Sequence, residues 1–448
     1  MNRLALESSS ASSVPAAEPE PQISPHPSAP LRVAHVLRKC DPAEWGGTET
    51  AIERLCCGLR EQGVASVVYC PRLERSLASE PLRASGCEVR RFRTLVPVWG
   101  LSRERRRQMV RIGGNLLSFQ LMAKLWREPG LRLIHAHTLG RLGGIAFTLA
   151  RTRRLPFVVT IHGGVLDLPV ALQEEFGRSA TAGVEWGKLF GLIFRSRRLL
   201  READAIVTCN ATEAELLRRQ YPSRRTVVQP HGIPANLYRT EHRETAKATF
   251  PQLKGREVLL CVGRIDPVKN QGWLLEQLPE VLRRHPSAML VLTGPCTDRV
   301  YGESLRHRIR TLGLEERVLL TGGLPPQGPE LLGLFQIART LLLPSVSETF
   351  GLVLVEAWAA GTPVLASRTS GACALVKPGH NGWLFSLDEP TEFHRGLDEI
   401  LREPALASRF VANARPIVQA HDQSAVAGRM KALYEELIEE KETLRRPA

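Results

Sequence analysis

The sequence predicts an α/β protein in which two Rossmann-like domains, each built on a parallel sheet, face each other across a central cleft. Short β-rich runs alternate with helical stretches from Leu31, and the same alternation restarts at Glu257 after a polar stretch. At 448 residues the chain also exceeds what one hydrophobic core usually supports. Since open parallel sheets bind ligands at the carboxyl ends of their strands, the cleft is the expected ligand site.

Composition and periodicity divide the chain into four segments. Residues 1–30 are rich in Ser, Pro and Ala with few large apolar residues, which predicts a disordered tail. Residues 31–238 and 239–415 are the two predicted Rossmann-like domains. Residues 416–448 are predicted to form a C-terminal helix that packs back on the first domain.

Strands are predicted wherever four to seven β-prone residues are bounded by turn signals. In the first domain these runs are 31–37, 66–70, 131–135, 157–161 and 205–208, and a helix is predicted from 48 to about 61. In the second domain they are 257–262, 289–293, 318–321, 340–343 and 363–366.

The net charge of +14 is concentrated in residues 31–240, whereas basic and acidic residues balance in the second half. Arginines cluster in 90–111, together with Trp99 and Leu101, and again in 195–201. Arginine-rich stretches with apolar neighbours suit an anionic membrane surface, although a solvated arginine-rich surface explains them almost as well. They lack the interleaved aromatic residues or recognisable module of a nucleic-acid-binding protein, so no nucleic-acid partner is expected.

The start of the sequence lacks the apolar region of a secretory signal, and no run of about 18 uncharged apolar residues follows. A cytoplasmic protein is therefore expected, with peripheral binding to the inner face of the membrane as a hypothesis.

Glu348 and Glu356 belong to the most informative segment. A strand ending at Pro344 is followed by a glycine-containing turn and a helix predicted to begin near Phe350, which places Glu348 beside unpaired backbone N–H groups that bind anions. Glu356 lies about 12 Å further along if the segment is helical, too far for the roughly 5–9.5 Å carboxylate pair of a glycosidase. Such a pair suits the two ends of an elongated, hydroxyl-rich ligand, although two isolated glutamates at this spacing are usually just solvated.

Arg264 and Lys269 follow the first strand of the second domain and precede a helix. Two cations in such a loop can neutralise a leaving diphosphate through charge-assisted hydrogen bonds. No acidic cluster with metal-ligand spacing competes for this role, so neither a metal ion nor another cofactor is expected. Taken alone, the two residues read more simply as surface cations.

Candidate ligand contacts in the first domain also follow strands. Gly46 and Gly47 form a turn where a backbone can approach a phosphate or a sugar closely, although an ordinary turn is equally consistent. His162, His135 and His137 lie at strand ends on the predicted cleft side. A lone histidine there is usually structural, but three together favour ligand contact, and His135 and His137 are candidates for the acceptor side.

Taken together, these segments resemble family 4 of the retaining glycosyltransferases (glycosyl transferases group 1). The resemblance runs in order from Val33 to about Arg415, and its last two motifs are specific when they occur together. The motifs are Gly46-Gly47-Thr48-Glu49, His162-Gly163, Pro230-His231-Gly232-Ile233, Gly263-Arg264 with Lys269-Asn270, and the block from Glu348 to Glu356.

The resemblance implies the GT-B fold and a retaining, metal-independent hexosyltransferase that uses a nucleotide-sugar donor. Arg264 and Lys269 would bind the donor diphosphate, and Glu356 the ribose hydroxyls. Glu348 and the backbone of Phe350 and Gly351 would hold the transferred sugar.

The resemblance also implies roles for the first domain, which is the acceptor side of this fold. Gly46 and Gly47 would face the donor phosphates, and His162 would lie near the anomeric centre. The implied catalytic set is thus His162, Glu348, Arg264 and Lys269. A glycan or a lipid-linked intermediate is the expected acceptor, as in polysaccharide biosynthesis. A phosphorylase or a sugar-nucleotide epimerase of the same fold remains the alternative.

Overall fold

The structure, a computed structural model, describes residues 30–42, 45–73, 80–103, 106, 109–110, 116–162 and 184–445. Residues 1–29 of the predicted disordered tail, Glu44, Gly163, and Arg105, Arg107 and Arg111 of the first arginine cluster therefore lie outside the described residues.

The first half forms a seven-stranded, fully parallel sheet and a small antiparallel ribbon. The sheet strands are β1 (Leu31–Val36), β2 (Val64–Pro71), β3 (Glu88–Phe92), β5 (Leu131–Ala136), β6 (Phe157–Ile161), β8 (Ala205–Thr208) and β9 (Thr226–Val228), and the ribbon consists of β4 (Val98–Trp99) and β7 (Val184–Glu185). The strand order in the sheet is β3-β2-β1-β5-β6-β8-β9. The helices between the strands are Gly47–Glu61, Pro81–Ala84, Phe119–Arg127, Gly140–Thr152, Lys188–Ile193, Leu199–Glu202 and Ala211–Gln220.

The second half repeats this plan with a six-stranded parallel sheet. Its strands are β10 (Glu257–Val262), β11 (Ala288–Thr293), β12 (Val318–Gly322), β13 (Ala338–Leu343), β14 (Val364–Ser367) and β15 (Trp383–Phe385), in the order β12-β11-β10-β13-β14-β15. Its helices are Ala235–Arg239, Arg243–Thr249, the 3-10 turn Pro251–Leu253, Gln271–Arg284, Arg299–Thr311, Pro329–Ile337, Leu352–Ala360, Ser370–Leu375, Pro390–Arg402, Pro404–Ala420 and Gln423–Thr443.

Both sheets have the strand order of a Rossmann fold, which confirms the predicted fold class. In such a sheet the first strands are added on one side of the first strand and the later strands on its other side. The crevice at the carboxyl ends of the strands where the order reverses is the usual ligand site. Here the two reversal points lie between β1 and β5 and between β10 and β13. The loops after these four strands are therefore the positions from which a site is built.

The last helix, Gln423–Thr443, packs on the first sheet rather than on the second. Tyr434 and Leu437 share a buried cluster with Val33, Leu133 and Val158 from three neighbouring strands of that sheet. In the other direction, the segment that follows β9 contributes to the core of the second sheet through Ile233, Ala235 and Tyr238. The chain thus crosses between the two halves twice.

A search of the described helices for a segment long and apolar enough to span a bilayer finds none.

We predict that the packing of the last helix is a major source of stability. Leu437 is 1% exposed, and Leu437→Ala should lower the free energy of unfolding by about 2–5 kcal/mol through lost burial and the cavity that remains. Leu444→Ala is the matched control, because Leu444 is 82% exposed and its truncation should change stability by less than about 0.5 kcal/mol. Urea unfolding of both variants is the measurement, and equal losses would contradict the packing described here.

Candidate active site

Two loops of the second half, one after β10 and one after β13, are joined by backbone and side-chain hydrogen bonds. The N–H of Val346 donates to the carbonyl of Val268 over 2.9 Å, and Asn270 Nδ2 donates to the carbonyl of Pro344 over 3.2 Å. Asn270 adopts a left-handed backbone conformation, with φ 54°, immediately before the helix Gln271–Arg284. The two loops that carry the predicted donor-binding residues therefore form one surface at the reversal point of the second sheet.

The charged residues of these loops are paired with each other. Lys269 Nζ forms an ion pair with Glu348 Oε2, and Arg264 Nη2 lies 3.1 Å from Asp266 Oδ2. The loop is further shaped by Asp266 Oδ1, which accepts a hydrogen bond from the N–H of Lys269 over 3.1 Å. The side chains of Arg264, Lys269 and Glu348 remain 39%, 20% and 16% exposed, so a ligand in the cleft can reach all three.

The loop that carries Glu348 is clamped from behind by the helix Ser370–Leu375. The carbonyl oxygen of Glu348 accepts hydrogen bonds from the N–H of Gly371 over 2.7 Å and from Ser370 Oγ over 3.1 Å. A Cβ atom at position 371 would lie 2.5 Å from the nitrogen of Phe350, so only glycine permits this approach. The sequence had not pointed to this clamp.

The helix after this loop begins at Leu352, two residues later than its predicted start near Phe350. Gly351 precedes it in a left-handed conformation, with φ 85°. Because residues 344–351 form a loop, the separation of about 12 Å that a continuous helix would give between Glu348 and Glu356 does not apply. Phe350 is buried, and its ring packs edge-on against His231 at 5.2 Å between centroids.

Glu356 is bound by an arginine from the opposite half of the molecule. Arg54, on the helix Gly47–Glu61, donates from Nη2 to Glu356 Oε1 over 2.7 Å and to the hydroxyl of Tyr238 over 3.3 Å. Arg54 is 1% exposed, and its Nε and Nη1 have no hydrogen-bond partner in the part of the chain that the structure describes. Burial opposes the charge of Arg54, but Tyr238 and Glu356 outweigh it and raise the pKa of the guanidinium above its ordinary value.

Gly46 and Gly47 lie at the start of that same helix, facing the second half. A Cβ atom at Gly47 would lie 4.0 Å from the side chain of Leu352. Leu352 is the first residue of the helix that carries Glu356. The N–H of Gly46 donates to Glu49 Oε2 over 3.1 Å. The glycine turn and the loop of Gly351 are thus on opposite walls of one cleft, as a ligand bridging both halves requires.

Three histidines from successive strands of the first sheet form what we call the histidine row: His35, His137 and His162. His35 Nδ1 lies 3.0 Å from His137 Nε2, and His137 Nδ1 lies 2.9 Å from His162 Nε2. The ring of His162 stacks on that of His231 at 5.2 Å, and His231 in turn contacts Phe350. The row therefore runs from the interior of the first sheet to the loop that carries Glu348.

Burial keeps the histidine row uncharged. It lowers the pKa of His35 to about 3, and with the neighbouring imidazoles it lowers the pKa of His137 and His162 well below the ordinary value. The pKa of His231 is lowered to about 4, first by burial and then by the charge of Arg54. At neutral pH each ring of the row therefore carries one N–H donor and one acceptor nitrogen.

The two ends of the row are alike: His35 Nε2 and His162 Nδ1 are both buried, and neither has a hydrogen-bond partner among the described residues. In a row of neutral imidazoles one of these end nitrogens carries a proton and the other a lone pair. Both hydrogen-bond directions satisfy the two contacts within the row equally. His162 therefore offers Nδ1 to a ligand as a donor in one direction and as an acceptor in the other.

His135 is placed differently from His137 and His162. It is fully buried, and its two ring nitrogens lie 2.6 Å from the Tyr434 hydroxyl and 2.6 Å from Thr160 Oγ1. It therefore presents no free nitrogen to the cleft, and its contacts tie β5 and β6 to the last helix.

Nitrogen atoms of His35, His135 and His137 lie within 4.8 Å of one another, a separation that a metal ion can bridge. Both nitrogens of His135 and both of His137 already have hydrogen-bond partners. A metal ion would have to replace these hydrogen bonds, so the residues present fit a hydrogen-bonded row better than a metal site.

Sequence reasoning missed Arg54, Tyr238 and His35 as parts of the site. Each lies within a regular element, without the strand-end or glycine signals that marked the other candidates. One signal was available for His35: in parallel pairing of β1 with β5, His35 aligns with His135.

Models of two protein families match the chain. The model described as "Glycosyl transferase 4-like domain" matches residues 46–232, and the model described as "Glycosyl transferases group 1" matches residues 242–416. The first match contains the glycine turn and His135, His137 and His162 but not His35, and the second contains both loops of the donor-side candidates.

Curated relatives include D-inositol 3-phosphate glycosyltransferases of actinobacteria. The protein of Rhodococcus opacus (strain B4) is 32% identical over 299 residues, which cover 64% of this chain but only 63% of the relative. The D-inositol 3-phosphate glycosyltransferase 2 of Catenulispora acidiphila is 28% identical over 440 residues, which cover 93% of this chain and 98% of the relative. The chain thus spans less than two thirds of the length of the first of these proteins.

Solved structures with a similar fold include HepE of Anabaena in complex with UDP-glucose and the sucrose-phosphate synthase of Thermosynechococcus elongatus. The TM-scores are 0.67 and 0.68, at 20% and 22% sequence identity. The matches cover 91% of this chain and 100% and 99% of the two neighbours. At this identity the likeness extends to the fold.

We predict that the histidine row makes the protein acid-sensitive. The pKa of His35 is about 3 in the folded protein and about 6.5 in an unfolded chain, so the unfolded state takes up the proton first as pH falls. Stability should therefore fall below pH 6.5, by about 2 kcal/mol at pH 5 for one such histidine. Urea unfolding at pH 5 and pH 7.5 measures the effect.

His35→Asn should reduce this pH dependence by up to one proton, whereas His307→Asn, at an exposed histidine of the second half, should leave it unchanged. A native protein equally stable at both pH values would contradict the assignment of a neutral row.

Proposed function

Because the chain belongs to the family of glycosyl transferases group 1, we propose that it is a glycosyltransferase that moves a hexose from a nucleoside diphosphate donor to an acceptor, with retention of anomeric configuration and without a metal ion. The single observation that carries this proposal is the arrangement of cations, carboxylates and glycine turns around the cleft. All of them follow the strands at the two reversal points.

The donor diphosphate is assigned to Arg264 and Lys269. Each cation is held in place by a carboxylate, Asp266 and Glu348 respectively, so the loop is ordered before an anion arrives. A bound diphosphate would share these cations with the carboxylates, because it carries more negative charge than either. The N–H groups at the start of the helices after Gly46 and Gly351 supply further donors for phosphate oxygens. UDP is the first probe to use, since HepE of Anabaena binds it.

Glu356 is assigned to the ribose hydroxyls. Arg54 occupies its Oε1, and the second carboxylate oxygen is not engaged by that contact. Arg54 thereby fixes the direction in which Glu356 faces the cleft. Glu348 and the backbone of Phe350 and Gly351 are assigned to the hydroxyls of the transferred sugar, and the clamp on the Glu348 carbonyl supports this by fixing the loop.

Transfer requires the bond between the anomeric carbon and the diphosphate oxygen to break and a bond to the acceptor oxygen to form. With retention on one face of the sugar, the acceptor proton passes to the departing diphosphate oxygen. Arg264 and Lys269 stabilise the negative charge that develops there, which is the role a metal ion has in other enzymes. His162, whose Nδ1 has no partner among the described residues, is assigned to a sugar oxygen near the reacting centre.

The acceptor is assigned to the first half, whose excess of basic residues favours an anionic compound. The relatives of Rhodococcus and Catenulispora are named for D-inositol 3-phosphate, which is a compound of this kind. A lipid-linked phosphate is a second compound of this kind. The shared chemistry is a phosphorylated hydroxyl compound, and parallel assays with soluble and lipid-linked acceptors distinguish the two sources.

We predict that Arg264→Ala and Lys269→Ala each lower kcat/KM by roughly 10- to 1000-fold, through the loss of a charged contact to the leaving group. Release of nucleoside diphosphate from the donor, followed with and without EDTA, measures this. Arg299→Ala is the control, because Arg299 is an exposed arginine of the second half with a single ion pair to Glu303. Full activity of both site variants, or activity that EDTA abolishes and magnesium restores, would exclude the proposed mechanism.

A further prediction separates Glu356 from Glu348. Glu348→Gln should retain UDP affinity within about twofold and lower turnover, because its proposed partner is the sugar. Arg54→Met combined with Glu356→Gln should weaken UDP binding. The combination is needed because Glu356→Gln alone leaves a buried arginine without its counter-ion, at a cost of about 3–5 kcal/mol in stability. Calorimetric titration with UDP decides, and equal losses in both variants would refute the assignment.

A further inference from the structure

The first half carries a group of large apolar side chains in contact with solvent. They are Leu95, Trp99, Phe119, Met122, Trp126, Leu189, Leu192 and Ile193, which we call the apolar surface. Trp99, Leu189 and Leu192 are 65%, 61% and 71% exposed. A soluble protein seldom groups so many exposed apolar residues, and such a group marks a contact surface.

Aromatic contacts make this surface continuous. Trp99 of β4 packs against Trp186 at 6.2 Å between ring centroids, Trp186 against Phe190 at 5.9 Å, and Phe190 against Phe119 at 5.7 Å. The row of rings thus connects the small ribbon to the helices Lys188–Ile193 and Phe119–Arg127. Trp99 and Phe119 are thereby linked, and five of the other exposed residues lie on the same two helices as Phe190 and Phe119.

Both helices turn a second apolar face outward. In Phe119–Arg127, Leu121 and Leu125 are buried, whereas Phe119, Met122 and Trp126 are exposed. In Lys188–Ile193 the exposed residues are Leu189, Leu192 and Ile193. Spacings of three, four and seven residues in the first helix, and of three and four residues from Leu189 in the second, place the exposed side chains of each helix on one face. The side chains of these outward faces are exposed and do not contribute to the hydrophobic core.

Exposed arginines without an ion-pair partner among the described residues lie next to the segments of the apolar surface in the sequence. Arg195 and Arg197 follow directly after the helix Lys188–Ile193, and Arg93, Arg103 and Arg127 adjoin the other segments. All five are exposed, and no carboxylate within the described parts of the chain forms an ion pair with any of them. Arg198, by comparison, lies 3.8 Å from Glu202.

We propose that the apolar surface is the site at which the protein docks on an anionic lipid membrane. Tryptophan, phenylalanine and leucine enter the boundary between headgroups and acyl chains, and the arginines bind the lipid phosphates. The charge argues against a second copy of the chain, because two such surfaces would bring their arginines together. The proposal goes beyond the transfer reaction, since none of the residues that form the apolar surface lies among the cleft residues described above.

This surface extends the one that the sequence suggested. The sequence pointed to the arginines in 90–111 with Trp99 and Leu101, and to those in 195–201, and of these Arg105, Arg107 and Arg111 lie outside the described residues. The structure adds the outward faces of two helices, which supply further apolar side chains beside Trp99.

Vesicle co-sedimentation of the full chain tests the proposal. The vesicles are phosphatidylcholine alone or phosphatidylcholine with phosphatidylglycerol, at low salt of about 50 mM, where screening is weak. We expect the native protein to bind only the anionic vesicles. Trp126→Ser with Leu192→Ser should weaken binding by about 10- to 100-fold through lost apolar burial. Arg195→Ser with Arg197→Ser should weaken it by up to about 25-fold, since each cation near the surface contributes about fivefold.

Matched controls come from exposed residues of the second half. Val300→Ser with Leu312→Ser removes two exposed apolar side chains, and Arg310→Ser with Arg409→Ser removes two exposed arginines, and neither pair should change binding. UDP affinity and melting temperature, measured on every variant, separate a failure of docking from a failure of the proposed function or of folding. Three outcomes would overturn the proposal: no binding of the native protein to anionic vesicles, equal losses in site and control variants, or a native dimer that the Trp126 and Leu192 variant dissociates.

Discussion

The contact between Arg54 and Glu356 is a buried ion pair that joins the two halves. It joins residues 302 positions apart in the chain, one on the first helix and one on the helix after the Glu348 loop. Two charges buried this completely stabilise each other only when both are present, and removing one leaves the other without compensation. The pair connects the helix that follows the glycine turn with the helix that follows the Gly351 loop. Nucleotide recognition through Glu356 would therefore depend on a residue that contacts no nucleotide.

The charged side chains of the donor loops are also paired with each other. Lys269 with Glu348 and Arg264 with Asp266 leave the cleft locally balanced, whereas the excess positive charge of the protein lies in the first half. The loops thus have little long-range attraction for anions, and selection of a diphosphate must come from hydrogen-bond geometry at short range. The positive charge of the first half would instead attract an anionic acceptor, or an anionic surface that carries the acceptor, over longer distances.

Local sequence patterns predicted the fold and the loops but not the contacts between them. Strand–helix alternation and the residues at strand ends identified Arg264, Lys269, Glu348 and His162 in positions that the structure places around one cleft. Arg54 gave no such signal, because an arginine inside an amphipathic helix is usually solvated, and its partner is known only when the whole chain is folded. The helix Lys188–Ile193 illustrates the opposite problem, because its apolar spacing is that of a buried face, and only the tertiary structure shows that the face is open.

The position of the last helix has a consequence for how the protein is made. Val33, Leu133 and Val158 lie on strands that are synthesised before the second half, but the side chains that cover them, among them Tyr434 and Leu437, are synthesised after it. The part of the first sheet that the last helix covers therefore lacks this cover while the second half is translated. Nascent chains with exposed apolar sheets are prone to aggregate, and chaperone binding during this interval would protect them. Premature termination after residue 420 would leave the first half with an uncovered sheet, even though all of its strands and every residue of its cleft wall would be present.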